Sequence, residues 1–391
     1  MKGLPTLAAL LLCAAGGGAL IYCLRSKNSP APAPSPRPAA AAFVENAVGL
    51  RFASPPRTAR VPAGALFDRI DAHLDRRFGP HGLDHRTRAL ELLGLLPPDR
   101  HLRDALLTAH TAGARGWFDP FDGTILLLDD FDPDHPPDRA VLHRLLTRNL
   151  LHQHAPPLAP ALPDDAWRAR LGLHRAIAAA VEDRLREAEP ESFAVPDPAQ
   201  TEREAVLLGL PVYVHNLAQF HHFQVPDFLE TRLAANPEAL PDLVRNPPAT
   251  TLELLGGDPG VAAAPQLPPR PEILLEESLG ALGVRILLEW LADYDQAAAL
   301  APAWRGDLYR LSSNPHGRHL LWICRWTGPE TARAAAAILN SRHAPAGGDR
   351  RHRTLAVRGT LTVFANCADP ETLAALLAEA PHPDSPPPPA P

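Results

Sequence analysis

The chain has 391 residues, 46% of them hydrophobic and 21% charged, which places it among globular proteins with enough apolar material for one large or two modest domains. A formal charge of -6 and a pI near 6.3 give no basic face to attract nucleic acid, so no nucleic-acid partner is expected. Lys2 and Lys27 are the only lysines and there are 46 prolines, so single arginines and prolines carry little functional information against this Arg-, Ala- and Pro-rich background.

Residues 1–27 contain an uncharged run from Gly3 to Leu24, about the roughly 20 residues needed to cross a bilayer. A small-residue cleavage pattern exists at Gly17 to Ala19, but apolar "LIYCL" follows directly, which favours an uncleaved membrane anchor over a signal peptide. Lys2 on one side and Arg25 with Lys27 on the other nearly balance. The Pro/Ala-rich stretch 28–42 is a semi-rigid linker that holds the body, residues 43–380, away from a surface. The expected location of that body is extracytoplasmic, at the membrane, and the Pro-rich tail 381–391 is expected to be disordered.

Within the body, "FVENAVGLRF" reads as a short strand followed by a proline-rich turn, and a helix starts near Pro62. Helices over "DHRTRALELLGLL" and "HLRDALLTAHTAG" come next. In "RGWFDPFDGTILLLDD" two apolar runs flank Asp119-Pro120-Phe121-Asp122-Gly123, which is turn chemistry and predicts a β-hairpin with second strand Thr124 to Leu128. An amphipathic helix over "AVLHRLLTRNLLHQHA", Ala140 to Ala155, follows, then a long helix over "DDAWRARLGLHRAIAAAVEDRLREAE". Further helices extend to Val244, with a break near Pro211. The C-terminal third gives a strand and a helix in "PEILLEESLGALGVRILLEWL", the strand "HLLWICRW", the helix "PETARAAAAILN", the hairpin "RTLAVRGTLTVFAN" and the helix "PETLAALLAEA". The fold class is α+β, mainly helical, with a short β-sheet and a C-terminal α+β portion. Cys324 and Cys367 both fall in strand-like runs, which leaves a disulfide and two buried thiols as alternatives.

On a 3.6-residue period Leu142, Leu145, Leu146 and Leu150 share one broad stripe of the Ala140 to Ala155 helix, while Arg144 and Arg148 lie on another. Laid without a gap over "HRLLTRNLLHQH", the helix A-H-E-L-T-H-A-L-Q-D-Q-H of a family of bacterial zinc metallopeptidases matches at Leu146, Thr147, Leu150, Gln153 and His154. "VGLRFASP", "GWFDPFDGTILLLDD", "NPPATTLELL", "SLGALGVRILLE" and "WRGDLY" resemble further pieces of that family in order, from about Phe43 to about Ala380. The chain thus resembles a zincin-like family, and the resemblance implies a zincin-like body.

In zincins H-E-x-x-H places two histidine ligands one turn apart, with the glutamate between them as general base and a third ligand on the next helix. The resemblance puts Arg144 and Arg148 at the histidine positions, Leu145 at the glutamate and Glu182 at the third ligand. Arginine stays protonated and has no lone pair to give a metal, and leucine cannot act as a base, so no metal, cofactor or catalytic residue is expected. His143, His152 and His154 do not converge with Glu182 as the lost ligands would. Two readings of the arginines stand open: a solvated like-charged pair, or an Arg to Glu182 contact that supplies the charge zinc once supplied.

His221 and His222 read as a packed helix face, and Asp119 and Asp307 as turn and cap residues. The functional expectation is a catalytically inactive, membrane-anchored metallopeptidase-like protein with a binding or scaffold role. Its expected partner is an extended peptide or protein segment, added as a strand beside Thr124, Ile125, Leu126, Leu127 and Leu128. An active hydrolase with a relocated site and a structural envelope protein are the alternatives.

Overall fold

The computed structural model describes residues 38–194, 197–236, 238–258, 265–292, 294–342 and 351–381. The expected anchor 1–27, most of the linker and nearly all of the tail lie outside the described residues. Among the described residues no helix is long and apolar enough to cross a membrane.

The first element is a helix, α1 (Pro38–Val48), where the sequence suggests the end of a linker and a short strand. Four consecutive alanines after a proline at the first helical position favour this outcome, since alanine has the strongest helix propensity and proline costs nothing there. Val44 and Val48 are buried, and the Phe43 ring meets His143 edge-on at 5.2 Å. The region read as a proline-rich turn instead ends in strand β1 (Thr58–Val61), directly before α2 (Ala63–Phe78). Helices α3 (Gly82–Leu93) and α4 (Leu102–Thr111) follow, with Gly94 closing α3 in the left-handed conformation.

The predicted hairpin is present as β2 (Gly116–Phe118) and β3 (Ile125–Leu128), paired antiparallel. Gly123 in its turn has φ 71°, and a Cβ there would come 2.8 Å from the His152 ring. β1 pairs with β3 in parallel, so β3 is the middle strand of a three-stranded sheet.

Two long helices then pack along each other: α5 (Pro136–His154) and α6 (Asp164–Ala188). The leucine stripe of α5 is wholly inside, with Leu142, Leu145, Leu146, Leu150 and Leu151 all buried. Each such burial stabilises the fold by roughly 2 kcal/mol. Helices α7 (Pro198–Leu208) and α8 (Val212–Phe223) are broken at Pro211 as expected, followed by α9 (Val225–Ala235), α10 (Leu240–Arg245) and the short α11 (Thr251–Leu254).

The C-terminal portion builds on a five-stranded antiparallel sheet of order β4-β5-β6-β8-β7. Its strands are β4 (Ile273–Glu277), β5 (Trp304–Asn314), β6 (Gly317–Trp326), β7 (His352–Arg358) and β8 (Leu361–Cys367). Helices α12 (Gly280–Leu291), α13 (Tyr294–Leu300), α14 (Pro329–Arg342) and α15 (Pro370–Glu379) complete the chain. One face of the sheet, including Leu320, Trp322 and Cys324, joins a core continuous with the N-terminal helices. The other face, with Leu321, Ile323, Val363 and Cys367, is covered by Leu376 of α15.

This geometry rules out the disulfide. Cys324 lies opposite Thr362, and Cys367 is five residues further along β8, an odd number that places it on the other face of the sheet. At about 3.3 Å per residue the two are also roughly 16 Å apart along the strand. Both are free buried thiols, and Cys367 Sγ faces the Asp369 carbonyl at 3.2 Å.

A buried ionic network ties the N-terminal helices to the sheet. Asp164, at the start of α6, accepts from Arg77 at 2.6 Å and Arg86 at 2.9 Å, and Arg86 also reaches Glu277 of β4 at 2.9 Å. Beside it, Asp307 accepts from Ser278 Oγ, the Leu279 and Gly280 N–H groups, and the Trp304 and Trp322 indoles. Asp307 is therefore a cap, as the sequence suggests, but one supplied from a strand to the start of α12. Gly280 is required here: its φ is 72°, and a Cβ would sit 1.9 Å from an Asp165 oxygen.

Candidate functional site

The four positions aligned with the zinc site fall on the facing sides of α5 and α6, except one. Arg144 Nη1 donates to Glu182 Oε2 at 2.9 Å, and Arg186 Nη2 donates to Oε1 at 2.8 Å. Both carboxylate oxygens are occupied. Burial opposes ionisation of Glu182, but Arg144 and Arg186 outweigh it, and its carboxyl titrates below the usual range. The Arg144 to Glu182 contact is the ionic alternative left open by the sequence, and it excludes the solvated like-charged pair for Arg144.

Arg148, one turn on, makes no ion pair with Glu182. Its guanidinium stands over the Phe118 ring at 5.1 Å, and its Nε is buried without a hydrogen-bond partner. Leu145 points the other way, into the core beside β2, where a Cβ on Gly116 would approach its side chain to 2.9 Å. No general base can act from that position without burying a charge.

The nearby histidines are engaged elsewhere. His143 Nδ1 contacts the Arg139 carbonyl at 2.8 Å, His152 packs on Phe118 with ring centroids 5.6 Å apart, and His154 Nε2 contacts the Arg51 carbonyl at 2.7 Å. Among the described residues no group of three or more His, Cys, Asp or Glu is placed to hold a metal ion.

The expected groove strand must be corrected. Ile125, Leu126 and Leu127 are buried and Leu128 half-buried, and β3 is flanked by β1 on one side and β2 on the other. Both of its edges are hydrogen-bonded, so a peptide cannot add to it. Thr124 precedes the strand, its N–H donating to Asp122 and its carbonyl accepting from the Asp119 N–H, 2.9 Å away. Asp119 is a turn residue, as expected, with its carboxylate accepting from the Phe121 N–H at 2.9 Å.

Around the ion pair the structure gathers residues that sequence reasoning passed over. Arg175 lies seven positions before Glu182, two turns along the same face of α6. Arg203 of α7 is rooted against the end of α4, where a Cβ on Gly113 would come 3.2 Å from its own Cβ. Burial, then the Arg203 and Arg144 charges, push the Arg175 guanidinium down to about 10. Burial, Arg175 and Arg144 likewise lower Arg148. Like charges repel, so these arginines oppose one another's ionisation.

Histidines line the same region. Burial and then the Arg148 and Arg175 charges hold His73 at about 3, and burial with Arg175 as the next cause keeps His110 well below its ordinary value. His221 is lowered by burial, by His222 and by the arginines, so these rings are neutral at pH 7. His221 and His222 stack with centroids 3.9 Å apart, and the Nδ1 atoms of His73 and His221 are buried without partners. The one available signal for Arg175 was its seven-residue spacing from Glu182, which is common in any helix. No protein-family model, no curated protein and no solved structure matches the chain.

Proposed function

We propose that the chain is a zincin-like, metallopeptidase-type protein without metal chemistry, which works by binding or as a scaffold. In this reading residues 1–27 anchor it in a membrane and the body lies on the extracytoplasmic side. The observation that carries the proposal is the Arg144 to Glu182 contact of 2.9 Å. A cation from the position of the first histidine ligand meets the carboxylate at the position of the third, and a bidentate-capable guanidinium fills the place of a dication. The buried Leu145 and the engagement of His143, His152 and His154 with partners other than Glu182 support loss of hydrolysis rather than its relocation. An extended protein segment stays the proposed partner, meeting the outer edge of β1 or β2.

The double substitution Arg144→His and Arg148→His tests the placement, because it restores two imidazoles one turn apart facing Glu182. One equivalent of tightly bound zinc in the purified variant is expected. A folded variant that gains no zinc would show that these positions are not a former metal site.

A further inference from the structure

Strand β7 is an open edge of the large sheet. It pairs with β8 alone, through the two-residue turn Gly359–Thr360, in which Gly359 has φ 57°. Such a turn makes Arg358 and Leu361 a hydrogen-bonded pair, so Arg358, Ala356, Thr354 and His352 turn their N–H and carbonyl groups towards β8. Leu355 and Val357 therefore turn theirs away, and these groups make no hydrogen bond with another described residue. Helices cover the two faces of the strand: Leu355 packs with Ala332, Ala335 and Leu339 of α14, and Ala356 with Leu376 of α15. Val357, on the Leu355 face, is nevertheless 38% exposed, which is unusual for a large apolar side chain in this fold. The edge is also basic. Residues 351–367 include Arg351, His352, Arg353 and Arg358 and no carboxylate, in a chain of net charge -6. Arg358 donates to the neutral Leu377 and Ala380 carbonyls and makes no ion pair with another described residue.

We propose that the free edge of β7 takes an extended protein segment in which acidic and apolar residues alternate, added as a sixth strand of the large sheet. The outward N–H and carbonyl groups of Leu355 and Val357 supply the main-chain hydrogen bonds of such an addition. Side chains of the added strand alternate between faces. Those beside Leu355 and Val357 cover Val357 and are apolar; those on the other face lie beside His352 and Arg358 and are acidic. A second copy of the chain fits less well. Two β7 strands paired antiparallel about Leu355 set His352 opposite Arg358 at both ends, and each strand brings two arginines and no carboxylate, so charge opposes the pairing. The site lies on the large sheet, apart from the edges of β1 and β2, and it does not depend on the zincin-like reading, because a failure of the two-histidine variant to bind zinc leaves β7 unchanged.

The test is the fluorescence anisotropy of a labelled peptide of alternating Glu and Val, titrated with the full chain in non-ionic detergent at low salt. The same peptide with Lys in place of Glu, and a fully N-methylated copy, are the comparisons. Saturable binding at one equivalent is expected for the Glu peptide and for neither of the others. Val357→Pro removes an outward N–H and keeps the ladder to β8, since proline is tolerated on an edge strand. It should weaken the Glu peptide by roughly tenfold or more, the effect of losing one hydrogen bond, and a melting temperature near that of the parent shows that it folds. Should this variant not fold, the N-methylated peptide tests the same hydrogen bonds on the parent. Arg358→Gln keeps a donor for the Leu377 and Ala380 carbonyls but removes the charge, and should weaken binding roughly two- to fivefold. Absence of saturable binding, equal binding of the Lys or N-methylated peptide, or unchanged affinity in folded Val357→Pro would overturn the proposal. So would a dimer in sedimentation that Val357→Pro dissociates, because a second copy then occupies the edge.

Discussion

The Glu182 carboxylate is shared between Arg144 at 2.9 Å and Arg186 at 2.8 Å, one cation from the neighbouring helix and one from its own. The interhelical half of this pair joins α5 to α6 across the centre of the proposed former metal site. Glu182→Gln removes the carboxylate that Arg144 and Arg186 share and leaves Arg144 within reach of the Arg175 and Arg203 charges. Breaking a buried pair from one side costs about 3–5 kcal/mol, and the partial exposure of Arg144 reduces this to about 2 kcal/mol. Arg144→Met should cost less, because Arg186 still holds Glu182. Urea denaturation of the two variants checks both the size and the order of these effects.

Asp307 accepts from five donors, two of them indoles and two the backbone N–H groups that open α12. Asp307→Ala leaves those buried donors unsatisfied, and a loss of about 4 kcal/mol is expected. Even Asp307→Asn should be strongly destabilising, since its amide presents a donor to donors. Thermal melts of both variants test this.

Burial raises the Asp165 carboxyl to about 6, against 3.8 for the ordinary group. The folded state then holds the proton more tightly than the unfolded state, so this contribution is full below pH 4 and is lost as pH rises through 6. Two units correspond to about 3 kcal/mol. Asp165→Asn cannot titrate, so its stability relative to the parent should rise by about that amount between pH 4 and pH 7. A difference that stays constant with pH would show that Asp165 titrates normally.

His73 and His174 are pushed down to about 3, by burial first and then by Arg148. For a base the depressed value means that folding is favoured above the unfolded value near 6.5 and is progressively penalised as pH falls towards 3. Acid unfolding should therefore begin below about pH 6, and His73→Phe, which keeps the contacts with Trp117 and Phe121, should move the midpoint to lower pH. Denaturation followed by fluorescence between pH 3 and 7 gives the shift.

The two described cysteines are free, buried and on opposite faces of the large sheet. Without reductant, both should resist alkylation in the folded protein and react fully once it is unfolded. A Cys324 to Cys367 cross-linked peptide in the mass spectrum would contradict the register of β6 against β8.

Most helices, the hairpin and both flanks of the Pro211 break were legible because each depends on local signals: apolar periodicity, proline position and turn chemistry. Two local misreadings have physical causes. The apolar residues of "FVENAV" fit a strand, but the alanines before them nucleate a helix that α5 then buries. Strand β5 begins at "WRGDLY", where Gly306 and the charged Arg305 and Asp307 interrupt the alternation; tertiary hydrogen bonds to Asp307 compensate for that charge. The Arg144 to Glu182 contact was one of two readings of the arginines that the sequence left open, and the packing of α5 on α6 selects it. Arg175 and Arg203 could not be anticipated, because only the packing of α6 and α7 brings their charges within reach of each other in a chain crowded with arginine. The groove strand failed for a similar reason: nothing in "TILLLDD" reveals that β1, more than sixty residues upstream of Leu128, takes its free edge.

The measurement that bears most directly on the central claim is zinc content, together with peptide hydrolysis in the presence and absence of a chelator, for the purified full chain. The account predicts no stoichiometric zinc and no chelator-sensitive hydrolysis, because Arg144, Leu145 and Arg148 supply neither ligands nor a base. One zinc per chain with hydrolysis abolished by chelation would contradict it.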